Sequence, residues 1–359
     1  MTVSFESQIQ EIIHNNDFFE ALTANPANND ELVSFLREKA TTTVIIDAYT
    51  VWESNAKELI FQCLKENRFQ LVTDDFIKKY ATDIFSENSI IKEAFSKSIQ
   101  KSLKQNKTYI SKEVICSSNN LNYKSLLKIL NRVFPTLKHE TFDNFLRSCK
   151  DLISSTDTLT NLGLAKQESP FVVDGFLQLI VSERNSISHS HAFEHFFNYD
   201  QRIALINFIN QLLLSLKDFL SSQLINDKIE QNVQHSELEI AQIIKCNSTT
   251  KDNSLITLNF KNYSGNSDPQ NSVFYLKIND GEKTDKKESF FYKAIIINEI
   301  RNIHQNKCRV FPKNGKRSLS FTCNHMIKKN KIYQLIEVSQ MICDSSSIVI
   351  EEMLDNTKN

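Results

Sequence analysis

Glycine and proline are scarce in this chain of 359 residues, which contains 5 of each. Phosphate-binding loops, dinucleotide-binding turns and nucleophile elbows need several glycines close together. Only glycine adopts positive φ readily and lets the backbone approach a ligand closely. The sequence therefore offers almost no material for such sites, which excludes most classes of nucleotide-dependent enzyme.

The chain also lacks net charge and an uninterrupted apolar run. Lys plus Arg number 42 and Asp plus Glu 43, so any electrostatic function needs local segregation of charge. The most apolar helical stretch, Ile203 to Leu220, contains two asparagines, a glutamine and a lysine, and the N-terminus lacks the pattern of a signal peptide. We expect no membrane span and a cytoplasmic location.

The cysteines form no paired motif. There are 7 of them, without a CxxC spacing, and an odd count without pairing is typical of reduced thiols rather than of a disulfide framework. We expect them to be small core residues of an intracellular protein.

Hydrophobic periodicity predicts an α+β protein of two domains. Residues 1–230 have helical periodicity, including a long helix that starts near Asn29 or Asp30. Past His235, short β-rich runs separated by polar turns predict a domain over 236–359, a small barrel that is OB-like or of another type. These runs are Leu255–Phe260, Val273–Ile278, Phe290–Ile297, Leu319–Thr322 and Ile332–Val338, with Asn279-Asp280-Gly281 and Lys313-Asn314-Gly315 among the turns and the junction at Asn226–Ser236.

One helix ends in an unusual group of polar residues. It is expected to start at Ser169-Pro170 and carries Arg184, Asn185 and His189 after an apolar stripe. Arg184 and His189 are ~140° apart on an ideal helix, so they share a face only if the helix ends or loosens between them. A purely structural interpretation is that both are cations at the negative end of a helix dipole, with the last turn frayed at Asn185 and Ser186.

The string Arg184-Asn185-x-x-x-His189, near the end of an amphipathic helix and followed by one more helix, resembles the RNxxxH motif of HEPN-superfamily ribonucleases. Upstream, residues 49–53 read Tyr-Thr-Val-Trp-Glu and resemble the YxxWE helix of one group of bacterial HEPN nucleases. The resemblance covers roughly residues 40 to 225. It implies an all-α HEPN bundle with a core of about 40–66 and 168–225 and inserted helices over about 67–167.

The resemblance implies a homodimer in which two RNxxxH strings meet in one cleft. The reaction it implies is metal-independent and needs no cofactor: a 2′-hydroxyl of RNA attacks the adjacent phosphorus. His189 would then transfer protons and Arg184 would bind the phosphorane oxygens. Asn185 would orient the phosphate or the histidine, although a helix cap explains it equally well. Glu53 would fix Arg184 or His189, or is simply a solvated charge, and Trp52 is expected in the core.

The resemblance also implies a biological role, that of a toxin or phage-defence effector with an antitoxin or phage-derived regulator. The alternative is a non-catalytic HEPN-fold protein that binds RNA or acts as a scaffold. A metal-dependent hydrolase is a third reading, because His189, His191, Glu194 and His195 are close in sequence. Their spacing fits zinc poorly, so we expect no metal. Some HEPN toxins carry a modified tyrosine where this chain has His191, which makes that mode of silencing doubtful.

A basic segment lies in the β-rich domain. Residues 301–331 contain no Asp or Glu, and aromatic and histidine side chains are interleaved with the cations. This composition is typical of a groove that tracks phosphates, although lysines also protect sheet edges or dock an acidic partner. The residues predicted to bind RNA are Arg301, Arg309, Lys313, Lys316, Arg317, Lys328 and Lys329.

Overall fold

The structure is a computed structural model, and the chain folds into two compact units. It describes residues 5–25, 29–66, 71–85, 89–105, 107–118, 120–135, 137–164, 171–190, 195–230, 235–245, 254–260, 273–284, 287–302, 304, 306–309, 311–322, 332–338 and 348–351. Helices followed by an antiparallel sheet confirm the predicted α+β class.

The helices belong mainly to the N-terminal part of the chain. They are α1 (Glu6–Thr23), α2 (Asp30–Glu66), α3 (Asp74–Phe85), α4 (Ser89–Gln105), α5 (Lys112–Ile115), α6 (Tyr123–Val133), α7 (His139–Leu146), α8 (Lys150–Asn161), α9 (Val172–Ser190) and α10 (Tyr199–Glu230). Strand β1 (Thr108–Ser111) precedes α5 and pairs in parallel with β9 (Ile348–Glu351).

Short polar side chains cap α2 and α3, and α2 begins where the sequence predicts it. Asn29 caps α2 by accepting a hydrogen bond from the backbone N–H of Leu32 at 2.8 Å. Thr73 does the same for α3, with the N–H of Phe76 at 3.2 Å. Because these side chains satisfy backbone donors that have no partner within the helix, the start of each helix is set locally.

The start of α9 differs from the prediction. The helix begins at Val172, and Phe171 occupies the capping position, with its carbonyl accepting from Gly175 N–H at 3.1 Å. The predicted start at Ser169-Pro170 lies outside the described residues. The next helix, α10, begins at Tyr199.

The helical core is built around α9. Phe176 of α9 meets Phe208 of α10 edge to face, with ring centroids 6.0 Å apart, and α9 also contacts α2. Burial of such aromatic side chains supplies most of the stabilisation of helices whose own propensity is modest. The packing leaves the C-terminal end of α9, which carries the motif, at the edge of this core.

The β-rich part forms a closed ring of strands. Its strands are β2 (His235–Lys245), β3 (Ser254–Phe260), β4 (Val273–Thr284), β5 (Lys287–Arg301), β6 (Lys307–Cys308), β7 (Gly315–Thr322) and β8 (Ile332–Val338). Their order is β4-β8-β2-β3-β7-β5-β6, and β4 also pairs with β5, so six strands close on themselves. All pairings in this ring are antiparallel.

The ring encloses an apolar core. Burial alternates along β3, as expected when one face of a strand is inside. Phe311, which lies before β7, packs against Phe260 and Phe274 with centroid distances of 5.0 and 5.5 Å. The Phe311 ring is therefore part of the apolar core inside the ring of strands.

In the β-rich part, one predicted turn lies within a strand, one strand was not predicted, and one predicted turn is present. The predicted turn Asn279-Asp280-Gly281 lies within β4, at an irregularity in its pairing with β5. Strand β2 went unpredicted, because its charged residues interrupt the apolar run. Gly315 does end a turn, and its φ of +107° is a conformation that side chains other than glycine rarely adopt.

The two units divide the chain differently from the predicted domains. One comprises Met1–His139, Ser154–Lys217 and Ser345–Asn359, and the other comprises Glu140–Ile153 and Asp218–Asp344. The chain therefore contributes a short helical segment before residue 154 to the β-containing unit, and its C-terminal segment to the helical unit. The boundary after Lys217 lies within α10, ahead of the predicted junction.

Within the described residues, one helix is long and apolar enough to cross a membrane, Tyr199–Ile225, and 61% of its most apolar window is buried inside the protein. Most of this window therefore packs inside the protein, as a core helix does. The described cysteines are reduced: Cys63, Cys116 and Cys149 are buried and Cys308 is half-buried. Burial raises the pKa of the Cys116 thiol to about 12, so that it stays protonated. Cys246, Cys323 and Cys343 lie outside the described residues.

Candidate active site at the C-terminal end of α9

The motif residues lie on one continuous helix. Because α9 runs through Ser190, the expected fraying at Asn185 and Ser186 does not occur. Arg184 and His189 therefore keep a separation of ~140° around the helix axis. Arg184 is half-buried and His189 is exposed, so a single chain presents the two side chains in different directions.

Arg184 is held against α2. Its guanidinium carbon lies 5.2 Å from the centroid of the Tyr49 ring, a cation–π distance. Its Nη1 donates a hydrogen bond to Oδ1 of Asn185 at 3.1 Å. These contacts restrain a long side chain that would otherwise occupy many rotamers, and they leave other guanidinium donors for a ligand.

Tyr49 and Trp52 together hold the backbone of one residue, Leu121, in the segment before α6. The backbone N–H of Leu121 donates to the Tyr49 hydroxyl at 2.9 Å, and Trp52 Nε1 donates to the Leu121 carbonyl at 2.7 Å. Trp52 is fully buried, as expected. This gives the Tyr-x-x-Trp spacing a physical role, because the two rings fix the surface on which the Arg184 guanidinium lies.

Glu53 is close to the same group. Its carboxylate accepts from Lys57 Nζ at 2.8 Å and interacts with the Tyr49 hydroxyl. Burial, with a further contribution from Glu53, raises the pKa of Tyr49 to about 12, so the phenol stays neutral at physiological pH. The structure thus brings Glu53 and Arg184 to one tyrosine, rather than pairing them directly.

His189 is the most accessible of the predicted catalytic residues. It forms no hydrogen bond or ion pair with a residue that the structure describes. Asn185 is four residues earlier, about one helical turn, so the two side chains are neighbours on the helix surface. Asn185, which also accepts from Arg184, thus connects the two residues of the motif without placing them together.

The structure adds a pair that the sequence analysis missed. Glu183 directly precedes Arg184 and is 0% exposed, and its Oε1 contacts Nδ1 of His195, whose side chain is 49% exposed. A buried carboxylate is rare unless it is paired. The signal was present in the sequence, because Glu183 continues the stripe of Phe176 and Ile180 at helical spacing, where an apolar residue is expected.

The segment after the motif is anchored to α1 and α2. The Phe197 carbonyl accepts from Thr41 Oγ1 at 3.2 Å and from Arg202 Nη1 at 2.8 Å. Arg202 is 1% exposed and also donates to Asn16 at 2.6 Å and Glu20 at 3.1 Å. The backbone next to His195 is therefore fixed by a buried cation.

No group of the described residues could hold a metal ion. Of the residues considered for zinc, His191 and Glu194 lie outside the described residues, whereas His195 binds Glu183 rather than a second histidine.

The described part of the basic segment lies on and beside strands β5, β6 and β7. In the strand register Arg301 of β5 is opposite Lys307 of β6 and Ser318 of β7, so Arg301 lies beside the strand that carries Lys316 and Arg317. However, Glu299 pairs with Arg301 at 2.9 Å and with Lys307 at 2.8 Å. Hydrogen bonds from Lys307 and Arg301 lower the pKa of Glu299, which keeps it charged.

Most of the other described cations predicted to bind RNA are exposed to solvent. Arg309, Lys313 and Lys316 are exposed and have no acidic partner among the residues that the structure describes. Arg317 is half-buried, and its Nη1 donates to the Lys316 carbonyl at 2.8 Å. Lys328 and Lys329 lie outside the described residues.

No protein-family model and no curated protein matches the chain.

Proposed function

We propose that the chain is a HEPN-type endoribonuclease that cleaves RNA without a metal, through 2′-hydroxyl attack at a site composed of two copies of the helical unit. The observation that carries this proposal is the state of Arg184. Its guanidinium lies over Tyr49 at 5.2 Å and donates to Asn185 at 3.1 Å, while the His189 imidazole, five residues further along the same helix, is exposed. A restrained cation and an accessible proton-transfer group are the two groups that phosphoryl transfer needs.

Each residue has a role in this proposal. Arg184 binds non-bridging oxygens of the phosphate and stabilises the charge that develops on the phosphorane. His189 takes the proton from the 2′-hydroxyl. Asn185 and Glu53 position these groups, Asn185 through its hydrogen bond to Arg184 and Glu53 through Tyr49.

The proposed site is shared between two chains. Arg184 and His189 differ by ~140° in direction on an unbroken helix, so one copy does not close a pocket around a phosphate with both side chains. Two copies related by a twofold axis would place an Arg184 and a His189 from different chains side by side. We expect the specific activity to fall on dilution, as the dimer dissociates.

The barrel would capture the substrate. Its exposed cations Arg309, Lys313 and Lys316 attract phosphates without reading sequence. A cytoplasmic toxin or phage-defence effector, restrained by an antitoxin or a phage-derived regulator, is the role we propose for this activity. If the chain binds RNA without cutting it, the non-catalytic HEPN-fold protein is the correct alternative.

The test is cleavage of total tRNA and of an mRNA transcript in EDTA. Wild type is expected to leave 2′,3′-cyclic phosphate and 5′-hydroxyl ends, and Arg184→Ala and His189→Ala should each slow cutting by about 100-fold or more. Ser188→Ala, a change at an exposed neighbour, is the matched control and should cut normally. Undiminished cutting by the two site variants would exclude this site.

A further inference from the structure

The pair of Glu183 and His195 is not used by the mechanism above, although it adjoins the motif. Glu183 lies on the core-facing stripe of α9, three residues after Ile180 and four before Ile187, and all three are buried. A carboxylate at such a position loses its hydration, so it destabilises the fold unless a donor compensates its charge. Nδ1 of His195 is one such donor.

The His195 ring is fixed on a second side as well. It stacks on Phe197, with centroids 6.3 Å apart and planes 25° apart, and the Phe197 carbonyl is held by Thr41 and Arg202. The imidazole is thus restrained by a carboxylate, by an aromatic ring and by an anchored backbone.

The pairing also determines what the other ring nitrogen does. With Nδ1 directed to the buried Glu183 carboxylate, Nε2 is the nitrogen left for other partners, and 49% of the side chain is exposed. An imidazolium at His195 compensates the carboxylate charge, and in that form Nε2 carries a hydrogen that can be donated. The arrangement of carboxylate, imidazole and free Nε2 is the one that orients a histidine for proton transfer.

His195 lies at the level of the motif along the helix. Glu183 and Arg184 are consecutive, so the imidazole held by Glu183 is near the turn that carries the guanidinium. His189 is six residues further on, about 9 Å along the helix axis. Cleavage of RNA needs both a base at the 2′-oxygen and an acid at the 5′-oxygen, and His195 is an imidazole of fixed orientation beside the turn that carries Arg184.

We propose that His195 is the general acid of the ribonuclease site, positioned by Glu183; this rests on the proposed function. His189 removes the 2′-hydroxyl proton while the 2′-oxygen forms its bond to phosphorus. As the bond from phosphorus to the 5′-oxygen breaks, His195 gives its Nε2 proton to that oxygen. One imidazole has gained a proton and the other has lost one, and exchange with water restores both.

The test uses a leaving group that needs no acid. The oligonucleotide carries sulfur in place of the bridging 5′-oxygen at the linkage that wild type cuts, because a thiolate leaves without protonation. His195→Ala is expected to slow cleavage of the ordinary RNA by about 100-fold and that of the sulfur-containing RNA only a few-fold. His189→Ala should slow both, and Ser188→Ala neither.

Equal slowing of both substrates by His195→Ala, or no slowing of either, would overturn the proposal. Glu183→Gln keeps the shape and a hydrogen-bond acceptor but removes the charge, so it should show a weaker form of the same selective loss. If wild type cuts neither substrate, the proposed ribonuclease function itself fails and takes the role of His195 with it.

A spectroscopic readout tests the pairing separately from activity. In ¹⁵N-histidine spectra of the full chain, the strongly downfield proton on Nδ1 of His195 should be present in wild type and absent in His195→Ala. Glu183→Gln should shift it upfield, because the acceptor is then neutral. Absence of this proton in wild type would mean that Glu183 does not position the imidazole, and the proposal would fail even if RNA is cut.

Discussion

The helical unit and the β-containing unit differ in how far their charged side chains are buried. In the helical unit, two charged side chains are buried and bound in fixed directions, Glu183 on His195 and Arg202 on Asn16. In the barrel, most described cations of the basic segment are exposed, and the ion pairs around Glu299 lie at its surface. The difference separates two physical tasks, because fixed dipoles and charges serve chemistry whereas solvated cations serve attraction.

This comparison also predicts how each unit should respond to change. Loss of one buried partner leaves other groups without hydrogen bonds, so the helical unit should lose stability. Loss of exposed cations should leave stability almost unchanged and alter only binding and its salt dependence.

The largest effect on stability is expected from Arg202→Ala. The change removes donors to the Phe197 carbonyl, Asn16 and Glu20 and leaves a cavity, so we expect the free energy of unfolding to fall by about 3 kcal/mol. Urea denaturation monitored by circular dichroism measures it.

Tyr199→Phe is the matched control, because it removes the hydrogen bond to Asp17 at 2.7 Å on the surface of the same region. It should cost less than about 1 kcal/mol. Equal losses in the two variants would show that the Arg202 network is not a special anchor.

Tyr49→Phe should have an intermediate effect. The variant keeps the ring under Arg184 but leaves the Leu121 N–H without its acceptor, so the free energy of unfolding should fall by about 1–2 kcal/mol. Cleavage should be impaired far less than by Arg184→Ala, because the cation–π contact survives. A loss of activity as complete as that of Arg184→Ala would mean that the hydroxyl, not the ring, supports the arginine.

The exposed cations of the barrel test the second half of the comparison. Replacing Arg309, Lys313 and Lys316 by Gln should weaken RNA binding about tenfold and reduce the slope of log affinity against log salt by roughly 2. Binding is measured by fluorescence anisotropy at several salt concentrations.

The matched control is the double variant Arg301→Gln and Lys307→Gln, whose cations pair with Glu299. For each charge removed, this variant should reduce the slope of log affinity against log salt by less, since Glu299 already compensates the charges of Arg301 and Lys307. If both variants leave RNA binding unchanged, the barrel does not capture the substrate.

The smallest effect is a pH dependence. The pKa of Tyr49 is raised to about 12 in the folded chain against about 10 in an unfolded one, so its contribution to stability is complete below pH 10. It is lost as the pH rises towards 12. The difference in unfolding free energy between wild type and Tyr49→Phe should therefore shrink by about 1 kcal/mol by pH 11. A difference that stays constant from pH 9 to 11 would contradict the burial of this phenol.

A local signal predicted the start of α2, whereas distant contacts account for much of what was missed. Asn29 and Thr73 bind their own helices, so a short window of sequence contains the whole interaction. Tyr49, in contrast, meets Leu121, which is 72 positions away. No periodicity predicts such a contact, and the resemblance supplied only the spacing of Tyr and Trp.

Glu183 shows a different limit. The sequence shows that Glu183 lies at a position of the apolar stripe of α9. Without knowledge of its partner, however, a charged residue at that position indicates that the stripe has ended. That partner, His195, is 12 positions away, beyond the end of α9. The closure of the strands into a ring could not be predicted from the sequence either, because the pairing of β4 with both β5 and β8 depends on strand order.

The distance between the α9 ends of two copies tests the central claim most directly. A spin label introduced at Ser188 as an unnatural amino acid avoids the native thiols, and pulsed electron resonance then measures the distance between labels in the dimer. We predict a distance of roughly 20 Å, about two helix diameters, with His189 of both chains facing one cleft. A monomer at concentrations that support RNA cleavage, or a dimer whose labels are much further apart, would contradict the composite site.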